Sequence, residues 1–113
     1  MVGSKTVIEK IESKNEQMNY IESIREVFEF AEIEEKTIIC GQSDWSMDLV
    51  QDVVIPEMET LLSYAENNLV YYKYGKEQRL LESTYFIGDT LKPLHLTELG
   101  RAILKVQRII NNF

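Results

Sequence analysis

Residues 44–69 read DWSMDLVQDVVIPEMETLLSYAENNL, and the fold turns on how this stretch is read. Set at about 100° per residue, Met47, Val50, Val54, Met58, Leu61, Ala65 and Leu69 gather on one side. That is the spacing of a helix with one core-facing stripe. Asp44, Asp48, Asp52, Glu59 and Glu66 gather on another side, roughly a third of a turn away. Pro56 lies inside the pattern. Proline costs about 3 kcal/mol in a helix interior, so a kink is expected there, or a fresh start with Pro56 at the first position.

Upstream, a first helix is expected after Ser4, carrying Val7, Ile8 and Ile11. The apolar pattern lapses from Ser13 to Gln17 and resumes as Met18, Ile21, Ile24, Phe28 and Ala31. This predicts one long helix with a solvated middle, or two helices meeting near Asn15. Gly41 reads as a helix C-terminus and Ser43 or Asp44 as the next N-cap. Downstream, Leu69–Tyr74 is aromatic and β-branched, suiting a strand or the tail of the preceding helix. Lys76–Ile87 suits a short helix stopped at Gly88, with Thr84–Ile87 equally open to a strand. Leu91-Lys92-Pro93 is a connector, and Thr97 reads as the N-cap of a final helix with Leu99, Ile103, Val106 and Ile110 inward. The expected fold is an all-α, single-domain bundle of four to six helices over residues 1–113. The alternative is an α+β arrangement with a hairpin around 69–88.

With 113 residues and few Gly or Pro, the chain can bury one core but has little to spare. The net charge of −7 repels nucleic-acid backbone and anionic lipid and attracts a cationic protein. From Thr37 to Tyr72 there is no Lys or Arg, while Asp44, Asp48, Asp52, Glu57, Glu59 and Glu66 all fall in that stretch. Cys40 stands alone, which fits a reducing compartment. The opening segment is charged throughout, and the longest apolar run, Leu49 to Ile55, is interrupted and too short to span a bilayer. The expected location is the cytoplasm.

The sequence holds one Cys and one His, which cannot build a zinc cluster. Asp44, Asp48 and Asp52, four residues apart on a helix, project in a row and do not converge on a cation. Cys40 and His95 form a formal catalytic dyad without a recognisable local signature. His95 reads as a cap or packed side chain, and Cys40 as a buried one. There is no P-loop and no G-x-G-x-x-G. No enzyme activity, metal or cofactor is expected. Trp45 sits among the acids, off the apolar stripe. It is read either as an exposed anchor ringed by charge or as a staple packed back on the first helix. Tyr71, Tyr72 and Tyr74 form a second candidate contact surface.

Two resemblances bear on function. The run Leu96-Thr97-Glu98-Leu99-Gly100-Arg101-Ala102-Ile103-Leu104 resembles the last strand and closing helix of winged-helix proteins, where L-T-x-x-G-R follows the wing. That resemblance implies a wing hairpin within Leu69–Ile87 and a recognition helix near Pro56–Asn68. That helix carries Glu57, Glu59 and Glu66 and no basic residue, which argues for protein binding over DNA reading. In size, acidity and helical character the chain resembles the small immunity proteins that neutralise bacterial toxins, including those of contact-dependent growth inhibition systems. The resemblance implies a cytosolic inhibitor of a basic toxin domain, a nuclease above all. Asp44, Asp48, Asp52 and Glu59 would supply steering and ion pairs, and Trp45 the anchor. No nucleic acid or membrane is expected as partner, and the chain is expected as a monomer or weak homodimer. A winged-helix regulator or an acidic DNA mimic is the alternative.

Overall fold

The computed structural model describes residues 5–74 and 80–113. In chain order it runs β1 (Lys5–Lys10), α1 (Lys14–Ile39), α2 (Met47–Leu49), a π-helical turn (Val50–Val54) and α3 (Ile55–Ala65). Then come β2 (Leu69–Tyr74), α4 (Glu82–Gly88), a 3-10 turn (Leu94–Leu96) and α5 (Glu98–Asn111). The expected mostly helical architecture is what forms. The departure from it is a two-stranded antiparallel sheet pairing β1 with β2, in register Ile8 with Tyr71 and Glu9 with Val70.

The helix expected after Ser4 is therefore a strand. Thr6, Val7 and Ile8 are β-branched, and their partner strand is equally rich in β-branched and aromatic residues. The pairing joins segments some sixty residues apart, which a local pattern cannot register. Helix α1 starts at Lys14, where the Ser13 hydroxyl accepts the Glu16 N–H at 3.3 Å. Ser13 and Glu16 have the spacing of a capping box, a local signal for a helix start here. No hairpin forms within 69–88 among the described residues: Thr84–Ile87 is helical, and β2 pairs backwards to β1. Gly75 and Lys76–Arg79, where the expected helix began, lie outside the described residues.

Helix α1 packs along both α5 and α3. Its buried face is Tyr20, Ser23, Ile24, Val27 and Ala31. The expected stripe is thus turned by a fraction of a helical turn: Met18 is exposed, and Ile21 and Phe28 are only partly buried. The fully enclosed Tyr20 ring meets Phe113 edge-on at 5.3 Å, which draws that face inward. Gly41, at φ +73°, ends α1: its N–H meets the Ile38 carbonyl and the Gln42 N–H meets that of Thr37, as anticipated for a left-handed cap. At the other end of α3, Asn68 takes φ +63° and turns the chain into β2, a conformation that asparagine tolerates better than most residues.

Met47 to Ala65 is one continuous helical path, and Pro56 neither breaks it nor restarts it after a gap. The π turn lies just upstream. A proline lacks the N–H for the carbonyl four residues back and its ring crowds that carbonyl, here Asp52. Widening the preceding turn by one residue relieves the conflict. The Ile55 N–H accordingly donates to the Val50 carbonyl, five residues back. Of the expected stripe Val50, Val54, Met58, Leu61 and Ala65 are buried, whereas Met47 is only partly buried and Leu69 belongs to β2.

In α5, Leu99, Ile103, Val106 and Ile110 are all buried, and the Thr97 hydroxyl accepts the Gly100 N–H at 3.0 Å as the predicted N-cap. The segment before it, likened above to a closing strand, is the 3-10 turn. The L-T-E-L-G run is explained by packing. Thr97 Oγ1 also donates to the Leu94 carbonyl at 2.7 Å, folding the turn back over the first turn of α5. Gly100 is the residue over which it lies.

Candidate functional site

The middle segment sorts its acids into three roles. Asp44 is in the bend before α2, Asp48 in the first turn of α2, Asp52 in the π turn and Glu59 on α3. All four are exposed, and none has a cationic partner among the described residues. The helix begins later than expected: Ser46, not Ser43 or Asp44, is the N-cap, accepting the Leu49 N–H at 3.1 Å. Asp48 therefore lies in the first turn, where the helix dipole favours a negative charge.

Tertiary packing adds acids that the sequence stretch lacks. Glu34 on α1 accepts the Ser43 hydroxyl at 2.5 Å, and Glu35 accepts the Gln51 amide at 2.8 Å. The C-terminal half of α1 thus lies alongside the segment that carries Asp44 and Asp52. Lys36, exposed in the last turn of α1, is a base at this end of the helix.

Two of the six acids are otherwise engaged. Glu66 pairs with Arg25 at 3.8 Å, an exposed contact that contributes little to stability. Glu57 turns inward and caps α4 from a distance of 25 residues. It accepts the Glu82 N–H at 2.7 Å, the Ser83 N–H at 2.8 Å and the Ser83 hydroxyl at 2.6 Å. Leu81, the residue at the N-cap position of α4, has no side chain that could do this; its own N–H donates to Gln107 at 2.8 Å. Burial pushes the Glu57 carboxyl above the usual range, against the opposing hydrogen bonds from Ser83 and Glu82, and the charge of Glu82 adds to the rise. The buried Tyr20 phenol is also driven upward, by burial first and by the charge of Glu57 second.

A raised carboxyl means that folded Glu57 holds its proton to higher pH than the unfolded chain does. Its ionisation therefore costs stability as pH climbs from the ordinary carboxyl value through the raised one. In Glu57→Gln that slope should vanish, and one N–H of α4 should lose its acceptor at a cost of about 1 kcal/mol. Urea unfolding of both chains from about pH 4 to about pH 8 checks this. The stability of the natural chain relative to the variant should fall as pH rises, and a flat difference would remove the assignment.

Of the two readings of Trp45, burial overturns the exposed anchor and favours the packed side chain. Its indole is only 3 % exposed, and Nε1–H donates to Thr97 Oγ1 at 3.0 Å, while its backbone N–H donates to Ser43 Oγ at 2.9 Å. It is not a surface anchor: its hydrogen bond ties the segment before α2 to the N-cap of α5. A large ring needs dry surroundings and its N–H needs an acceptor, and the Thr97 cap supplies one. A helical angular count cannot follow Trp45, because it precedes the helix.

Cys40 is exposed at the end of α1, against the expectation of burial, and no hydrogen bond joins it to His95, which is exposed in the 3-10 turn. Among the described residues no three His, Cys, Asp or Glu side chains converge as a metal site. No helix among them is long and apolar enough to cross a membrane. An open hollow of 320 Å³ lies between the end of β1 and the start of α1, lined by Lys10, Glu12, Lys14 and Gln17 among others. Its partly buried amide, Gln17, is already committed to the Ala65 carbonyl at 3.0 Å. Of the tyrosines read as a contact surface, Tyr71 is stacked on Tyr64 at 4.9 Å; the side chains of Tyr72 and Tyr74 lie outside those described. The chain matches no family model, no curated protein and no solved structure.

Proposed function

We propose that this chain is a non-enzymatic binding protein that neutralises a basic protein partner in the cytoplasm, in its most concrete form the immunity protein of a bacterial toxin with nuclease activity. One observation carries the reading: Asp44, Asp48, Asp52 and Glu59 stand exposed with no cationic partner among the described residues. Unpaired surface carboxylates on a chain of net charge −7 are costly to gather unless a cationic surface meets them. A nuclease is cationic because it holds phosphate, so an acidic protein is steered towards its active site and occludes it. Glu34 and Glu35, lying alongside Ser43 and Gln51, widen the same field.

The test is association with the protein encoded by the adjoining reading frame, followed by stopped flow at low and high salt. Changing Asp48 and Asp52 to Lys together should slow association at low salt by about tenfold or more and flatten its salt dependence. Both residues are exposed, so folding should be preserved. An unaltered on-rate would remove these acids from the interface.

A further inference from the structure

With the Trp45 indole inside the core, the apolar anchor for such a partner has to come from elsewhere. The described surface offers one concentration of large apolar groups in a short span of chain. Tyr85 and Phe86 on α4 are 51 % and 36 % exposed, Leu91 in the following connector is fully exposed, and Leu96 in the 3-10 turn is 58 % exposed. The two rings hold each other edge-to-face with centroids 5.5 Å apart. Helix α4 packs against the 3-10 turn, so these residues belong to one corner of the molecule. Single exposed apolar residues need no explanation, whereas four of this size together mark a contact surface.

The charges around this corner select the occupant. Exposed Glu82 and Asp89 belong to α4 and its C-cap, exposed Glu98 opens α5, and α4 packs against the π turn that carries Asp52. Exposed Lys92 and Arg101 oppose them, with His95 exposed between, and among the described residues around this corner acids outnumber bases. A second copy of this chain would bring its own charge of −7 and is disfavoured, as is an anionic lipid surface. We infer that Tyr85, Phe86, Leu91 and Leu96 form the apolar seat for a cationic protein segment that presents large apolar side chains flanked by Lys or Arg. This rests on the binding reading above and names where on the molecule the partner is gripped. Charge brings the partner in, and burial of apolar groups at α4 and the 3-10 turn retains it.

The experiment uses two synthetic probes of equal length and charge, an amphipathic peptide of Lys and Leu and a control of Lys and Ser. Titration calorimetry and backbone-amide shifts are recorded at low and high salt. The natural chain should bind the Lys/Leu peptide at least about tenfold more tightly, since burying even one large apolar side chain is worth that much. The shifts should centre on α4 and the 3-10 turn. In Tyr85→Ser/Leu91→Ser the preference should vanish while binding of the Lys/Ser peptide persists. Both sites are exposed, and an unchanged melting temperature confirms the fold. Equal binding of the two peptides by the natural chain, or a preference that survives the double substitution, overturns the seat but spares the acidic surface. Failure of either peptide to bind in a salt-sensitive way removes the acidic surface itself. Concentration-dependent dimerisation of the natural chain that the double substitution abolishes would assign the corner to a second copy and also overturn the proposal.

Discussion

Replacing Gly100 with alanine is expected to destabilise the protein by about 3 kcal/mol or more, or to prevent folding altogether. A Cβ at this position would overlap the Leu94 carbonyl oxygen and lie 2.8 Å from its carbon. The obstruction is backbone, so no side chain can swing aside. The 3-10 turn would have to lift off α5, breaking the Thr97 bond to the Leu94 carbonyl and the cap on Gly100 with it. For a domain of this size the loss corresponds to a drop of roughly 10 to 20 °C in melting temperature. Thermal and urea unfolding should agree, and a variant of near-natural stability would show that the turn does not sit on α5 as described. The expectation is particular to this glycine. Gly88, which ends α4, has open space where a Cβ would go, so the same substitution there should be mild.

Trp45→Ala is expected to cost about 3–5 kcal/mol of stability, the range for deleting a buried aromatic side chain. Trp45→Phe should cost far less, about 1–2 kcal/mol, since it keeps most of the packing and loses the N–H donated to Thr97. The pair separates a core residue from an interface residue. Trp45→Phe, still folded, should associate with a basic partner at the natural rate, whereas an anchor residue would lose affinity in proportion to its contact. Unfolding in urea gives the first quantity and stopped-flow association the second. Undiminished stability with lost binding would return Trp45 to the surface.

Both expectations concern residues whose sequence signals were visible and whose meaning was not. The L-T-E-L-G run stands out as a motif, yet the motif serves a turn folded on its own helix. Thr97 is a cap by local rules, but its hydroxyl is also the acceptor for an indole 52 residues away. Trp45 drew attention because it interrupts an acidic stretch. Its acidic neighbours face water while its ring faces inward, because the chain bends there before the helix begins. Glu57 belongs to the same class: helical spacing sets it apart from Glu59 and Glu66, but only the position of α4 shows that it is a distant cap.

What the amino-acid order determined alone is the helical bulk of the fold and the inward face of its two most regular segments. Val50, Val54, Met58, Leu61 and Ala65, and likewise Leu99, Ile103, Val106 and Ile110, recur at intervals that suit a single buried side, and all of them are enclosed. Periodicity of that kind is a local property, written within a few turns of chain. The same holds for Thr97 and Gly41, whose side-chain chemistry and backbone freedom act on their immediate neighbours. The tertiary structure decided whatever depends on distant chain: the strand at residues 5–10, the accommodation of Pro56, the rotation of α1 between two partners, and the fate of each acid. Pairing and burial join segments tens of residues apart. Whether a carboxylate faces solvent, a cation or a helix end is therefore a property of the packed molecule, which leaves Asp48 in water and sets Glu57 on the end of α4.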